Sequence, residues 1–146
     1  MRIEQIFRTT KSHGLDIENS LIEDPKVLLR MFVLGIAAAV KVMCLVNARD
    51  GKTNRPASDV FNSIEIVVLT ALLSNLQGTT IKQKNPFVVN SLSWAAWIIA
   101  RLGGWTGYRH KTARPPGPIT MYKGLSIFNN YVQGWMLSQA KDVCIR

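Results

Sequence analysis

The stretch Asp24-Pro25-Lys26-Val27-Leu28-Leu29-Arg30-Met31-Phe32-Val33-Leu34-Gly35-Ile36-Ala37-Ala38-Ala39-Val40-Lys41-Val42-Met43-Cys44-Leu45 sets the fold class. Asp accepts hydrogen bonds from the free N–H groups that open a helix, and Pro at the first helical position forfeits no bond. Val27, Leu28, Met31, Leu34, Ala38, Val42 and Leu45 then recur mostly three or four residues apart, and the segment is apolar over most of its circumference. Neighbours are expected to cover such a helix on several sides. Its middle, Met31 to Val40 between Arg30 and Lys41, reads as a buried core helix; a run of 10 residues is well short of the roughly 20 that cross a bilayer.

Downstream, Asp50-Gly51-Lys52-Thr53-Asn54-Arg55-Pro56 is polar and rich in turn formers, hence a loop. A second helix is expected to open with Ser58 as cap, to carry Val60, Phe61, Ile64, Val67, Val68, Ala71, Leu72 and Leu76, and to stop at Gly78. Residues 78–89, with Gly78, Lys82, Lys84 and Pro86, form a connection. A third helix, capped by Asn90 or Ser91, carries Leu92, Trp94, Ala95, Ile98, Ile99 and Leu102 and ends at Gly103-Gly104. After a basic, proline-rich loop over 108–118, a last helix runs from about Thr120 to Lys141. Its Leu125, Phe128, Val132 and Trp135 line one face. No run of alternating β-branched residues and no internal repeat appears, so the architecture is all-α, with about four to five helices.

With 146 residues, 47% of them hydrophobic, the chain can bury a core, which excludes a wholly disordered protein or a bare basic tail. Its formal charge is +9, yet residues 1–65 are nearly balanced at net +1 and residues 66–146 carry net +8. Such an excess favours a polyanionic partner, either nucleic acid or an anionic membrane surface. Cys44 and Cys144 are far apart and lack any framework spacing, and His13 and His110 are equally scattered, so neither a disulfide scaffold nor a zinc site is indicated. The N-terminus has charges within its apolar pattern, unlike a secretory leader, and a cytoplasmic, nucleoid-associated location is the expectation.

Near the N-terminus, Glu4, Arg8 and Lys11 stand at i, i+4 and i+7 and share one helix face, with Ile3, Ile6 and Phe7 around the other side. On spacing alone this is an ion pair on a solvated amphipathic helix. The wording of Arg2-Ile3-Glu4-Gln5-Ile6-Phe7-Arg8-Thr9-Thr10-Lys11, however, resembles the C-terminal signature of bacterial DDE transposases of the IS-four and Tn-five group, in which six residues separate a Glu from a Lys. Gly14-Leu15-Asp16-Ile17-Glu18 and the long apolar helix after Pro25 resemble the family's segment C-terminal to that signature. Ser93-Trp94-Ala95-Ala96-Trp97-Ile98-Ile99-Ala100-Arg101-Leu102-Gly103-Gly104-Trp105 resembles a second characteristic stretch of the group, and Pro115-Pro116-Gly117-Pro118 with Gly124-Leu125 fits the region after it.

The resemblance implies that residues 1–48 end an RNase H-like catalytic core and that 49–146 form a Tn-five-type dimerisation domain. It makes Glu4 the third catalytic carboxylate and a ligand of Mg²⁺ or Mn²⁺ in the intact family, and Arg2, Arg8 and Lys11 contacts to DNA. The signature's Tyr and Arg and the two catalytic aspartates have no counterpart here, so the chain alone is expected to bind no metal pair and to have no nuclease or strand-transfer activity. Stripped of the core, the segment carrying Ile3, Ile6 and Phe7 is expected to fray or to dock elsewhere.

Lys82, Lys84, Arg101, Arg109, Lys111 and Arg114, interleaved with Trp105 and Tyr108, are either a solvated basic surface or a track for a phosphate backbone. Leu125, Phe128, Val132 and Trp135 either complete the core or, as the resemblance implies, form a dimer interface. The expected partners are DNA, in particular transposon ends, and a second protomer or a full-length transposase; membrane is not expected. The rival reading is a stand-alone basic helical protein that binds an anionic membrane or a partner protein.

Overall fold

In the computed structural model, which describes residues 24–106 and 114–139, the Asp24 carboxylate accepts a hydrogen bond from the Lys26 N–H at 2.8 Å and opens helix α1, Pro25–Ala48. Three more helices complete the described chain: α2 (Ser63–Leu76), α3 (Leu92–Leu102) and α4 (Pro118–Gln139). Short 3₁₀ turns at Ala57–Asp59 and Ile81–Gln83 lie in the connections. No strand occurs among the described residues, and the chain is all-α.

The start of α2 corrects the sequence expectation. Ser58 does not cap it; Asn62 does, accepting from the Glu65 N–H while the Glu65 carboxylate accepts from the Asn62 N–H, a reciprocal capping box. The reason is tertiary. Ala57 N–H donates to Asn90 O and Leu92 N–H to Arg55 O, so the chain at Pro56 is tied to Ser91 as an isolated bridge, and Ser58 falls inside the short Ala57–Asp59 3₁₀ turn that follows it rather than at the start of α2. Ser91, rather than Asn90, caps α3 by accepting from Trp94 N–H. Asn90 instead takes a left-handed backbone (φ 65°) in the turn before it. α4 begins at Pro118, two residues before the expected Thr120, as suits a proline at the first helical position.

α3 is the axis of the core. Every residue from Leu92 to Ala100 is buried, and α1, α2 and α4 all pack against it. Small residues make the closest approach possible: a Cβ on Gly124 of α4 would fall on the Ile99 carbonyl oxygen, and one on Gly103 would fall on that of Thr120. Phe61 and Phe128 meet edge to face, with ring centroids 5.7 Å apart. Val42, Leu45 and Ala48 of α1 join the same core as the residues after position 49.

Only the C-terminal half of α1 is covered in this way. Of the run Met31 to Val40, expected to be a buried core segment, only Gly35 and Ala39 are buried, while Val33 and Leu34 are 57% and 68% exposed. At 24 residues α1 extends about 36 Å, more than twice the about 16 Å of the 11-residue α3, so α3 by itself can back only part of it. The whole helix, as opposed to the ten-residue run inside it, is long and apolar enough to cross a membrane, a test that the core helix of a soluble protein also meets.

Candidate nucleic-acid interface

The cations of the described chain fall into two groups. In the first, each charge is tied to the fold. Lys41 Nζ lies 3.0 Å from Glu65 Oε1 and 4.7 Å from the centre of the Phe61 ring, so it closes α1 onto α2. Arg49 donates to the Pro116 carbonyl at 2.7 Å and joins the end of α1 to the segment before α4. Arg55 donates to Asp59 at 2.7 Å, and that bond, with the carboxylate's charge, raises the guanidinium further above its already high pKa.

Arg101 belongs to this group as well, which changes the part expected of it. Its Nε and Nη2 donate to the Leu76 carbonyl at 3.3 and 3.2 Å, and Nη1 donates to the carbonyls of Trp105 (3.0 Å) and Thr106 (2.6 Å). The last carbonyls of a helix have no partner inside it. Arg101 supplies one to α2 from the neighbouring helix while its guanidinium lies 5.8 Å from the Trp97 ring centre. The Arg in Arg101-Leu102-Gly103-Gly104-Trp105 is therefore a clamp on the fold, with most of its donors spent before any phosphate arrives.

The second group is open to solvent. Lys82, on the Ile81–Gln83 turn, is exposed and shares with Asn75, Gln77, Gln83, Arg101 and Thr106 a polar depression of about 340 Å³. Lys84, Arg114 and Lys123 are exposed too, while Trp105 packs half-buried against the core. Arg109, Lys111 and Tyr108 lie outside the described residues, as do Arg2, Glu4, Arg8 and Lys11 and the expectation that their segment frays.

The chain matches no known protein family and no curated protein.

The expected dimer face divides. Leu125, Phe128 and Val132 are covered by the chain's own helices and belong to its core, so in this conformation they present nothing to a partner. Trp135 is 37% exposed, on the open side of α4 with Tyr131 and Gly134, where they line a shallow groove against Val68 and Leu72 of α2. A Cβ on Gly134 would meet open space. Among the described residues no three His, Cys, Asp or Glu side chains come together, so there is no donor set there for a two-metal centre, and Glu4 lies outside them. Ser93, which in the sequence is one more residue of a buried helix, has a hydroxyl without a partner among the described residues.

Proposed function

We propose that this chain is the C-terminal part of a DDE transposase of the IS-four and Tn-five group, contributing contacts to the DNA backbone and a surface for association, without catalysis of its own. The observation that carries the reading is in the sequence: Glu4 and Lys11 at the signature's gap, together with the stretch Ser93 to Trp105. The fold gives that second stretch a physical rationale. Arg101 holds the end of α2, Gly103 lets α4 approach, and the apolar residues between Trp94 and Ala100 form the core axis. Exposed Lys82, Lys84 and Arg114, in the half of the chain that carries net +8, supply the positive surface for a polyanion.

In this reading Glu4 would be the family's metal-binding carboxylate, with Arg2, Arg8 and Lys11 beside it on DNA. Mg²⁺ or Mn²⁺ would be held by Glu4 together with the family's two further catalytic carboxylates. Binding to a DNA duplex tests the proposal. The affinity should fall steeply as salt rises, as counterion release requires, and Lys82→Ala with Lys84→Ala should weaken binding and flatten that dependence. An affinity indifferent to salt would refute it. The genomic sequence upstream of the Met1 codon gives a second test, because the reading requires an encoded Tyr, Arg and two Asp positions there, in frame or frameshifted.

The uncovered half of α1 favours one other reading, attachment to an anionic membrane through Val27, Leu28, Phe32 and Val33 with Lys26 and Arg30 beside them. Flotation with vesicles containing anionic lipid, abolished by Phe32→Asp, would establish it in place of the DNA reading.

A further inference from the structure

The start of α3 carries two polar groups that the fold leaves unused. Within its first turn, Leu92 N–H donates to Arg55 O, Trp94 N–H to the Ser91 hydroxyl and Ala95 N–H to Ser91 O. The Ser93 N–H has no acceptor among the described residues, and neither does the Ser93 hydroxyl, although the residue is only 2% exposed. An unpaired buried hydroxyl costs on the order of 1–3 kcal/mol, so a native structure that keeps one calls for a partner.

Ser93 lies at the edge of a cavity of about 370 Å³ lined also by Gly51, Thr53, Asn54, Phe87 and Ser91. Its two walls, the loop at 51–54 and the segment at 86–88, are held in register by the bridge between Pro56 and Ser91 and by the Val88–Ser91 turn, in which Asn90 takes its left-handed backbone. The walls are therefore tied to the helix start. No carboxylate lines the cavity. Lys52 belongs to one wall segment and Lys84 precedes the other, and both are exposed; Asp50, next to the first wall in sequence, is engaged by Arg49 at 3.8 Å.

A helix N-terminus carries about half a positive charge and presents N–H donors to an anion. Here it is joined by a buried hydroxyl without an acceptor and an open cavity, with exposed lysines close in sequence to both walls. We propose that the N-terminus of α3 and the Ser93 hydroxyl form a binding site for a phosphate group, which the Ser93 N–H and O–H both bond and which Thr53, Asn54 and Ser91 surround. The phosphate belongs either to a nucleic-acid backbone or to a free phosphorylated ligand. The site does not depend on the transposase reading, since inorganic phosphate alone probes it.

The test is an amide NMR titration of the full chain with inorganic phosphate and, separately, with a DNA duplex. Saturable shifts at Ser93 and Asn54 with phosphate are expected. Ser93→Ala should weaken phosphate binding about tenfold, the loss of one hydrogen bond to a charged group. Asn54→Asp, a change at an exposed position that places a carboxylate at the cavity, should abolish it, and the same spectra show that both variants remain folded. If the duplex moves the same amides, the phosphate is that of a nucleic-acid backbone; if only inorganic phosphate does, the site serves a free phosphorylated ligand. No saturable shift with phosphate, or phosphate affinity equal in the parent and both variants, overturns the proposal. Should the duplex still bind with salt-dependent affinity while Ser93 ignores phosphate, the site falls and the DNA reading stands.

Discussion

α3 and the N-terminal half of α1 are built from the same kind of residue and meet opposite fates. From Leu92 to Ala100 every residue is buried; from Val27 to Leu34 every residue is exposed except Met31, which is partly buried. Hydropathy does not separate them. What does is the presence of partners cut to fit: glycines at Gly103 and Gly124 bring the α4 backbone onto α3, and α1 and α2 close its remaining sides, whereas the large apolar side chains at the start of α1 are left exposed. Apolar composition creates the tendency to be buried, and length together with close-fitting neighbours determines whether it is met.

The contrast is easiest to break at the α3–α4 contact. Gly124→Leu puts a side chain where the Ile99 carbonyl oxygen stands, with no flexible neighbour to give way. The expected outcome is loss of the cooperative thermal transition monitored by circular dichroism, since overpacking against backbone can exceed what a marginally stable domain tolerates. Trp94→Ala, which empties the most voluminous fully buried position, should lower unfolding stability by about 3–5 kcal/mol in a denaturant titration.

Arg101→Met keeps the apolar stem and removes the bonds to Leu76, Trp105 and Thr106. A loss of about 2 kcal/mol is expected, with DNA affinity at low salt changed far less than by the Lys82 and Lys84 substitutions. The smallest effect is the most informative about α1. Val33→Gln should change stability by no more than about 0.5 kcal/mol, as at other exposed sites. A loss above about 2 kcal/mol would mean that this face is covered in solution, and the contrast with α3 would disappear.

Much of the scaffold is legible in the sequence because the signals are local. Asp24-Pro25, Ser91 and the glycines after Leu102 mark helix ends through groups a few residues apart, and the three-and-four spacing marks the helices between them. Ser58 misleads for a converse reason. It is a competent cap by its own chemistry, but the bridge between Pro56 and Ser91 joins chain segments 35 positions apart and moves the helix start to Asn62. Arg101 is open to misreading in the same way. Its candidacy for phosphate rests on charge, and its engagement depends on the end of a helix 25 residues earlier. Ser93 gives no signal at all, because a serine inside an apolar helix is ordinary until its surroundings show that it has no acceptor.

By itself, then, the sequence determined that this chain is helical, where most of its caps lie, and that its surplus positive charge falls in the second half, since each of these depends on residue identity and short-range spacing. Only the tertiary structure decided which apolar helix is core and which overhangs, which arginine holds the fold, that Leu125, Phe128 and Val132 face inward while Trp135 remains half open, and that a buried hydroxyl sits at the start of α3. Those outcomes depend on distances between residues remote in the chain, which helix lengths and backbone approach set and a linear pattern does not contain.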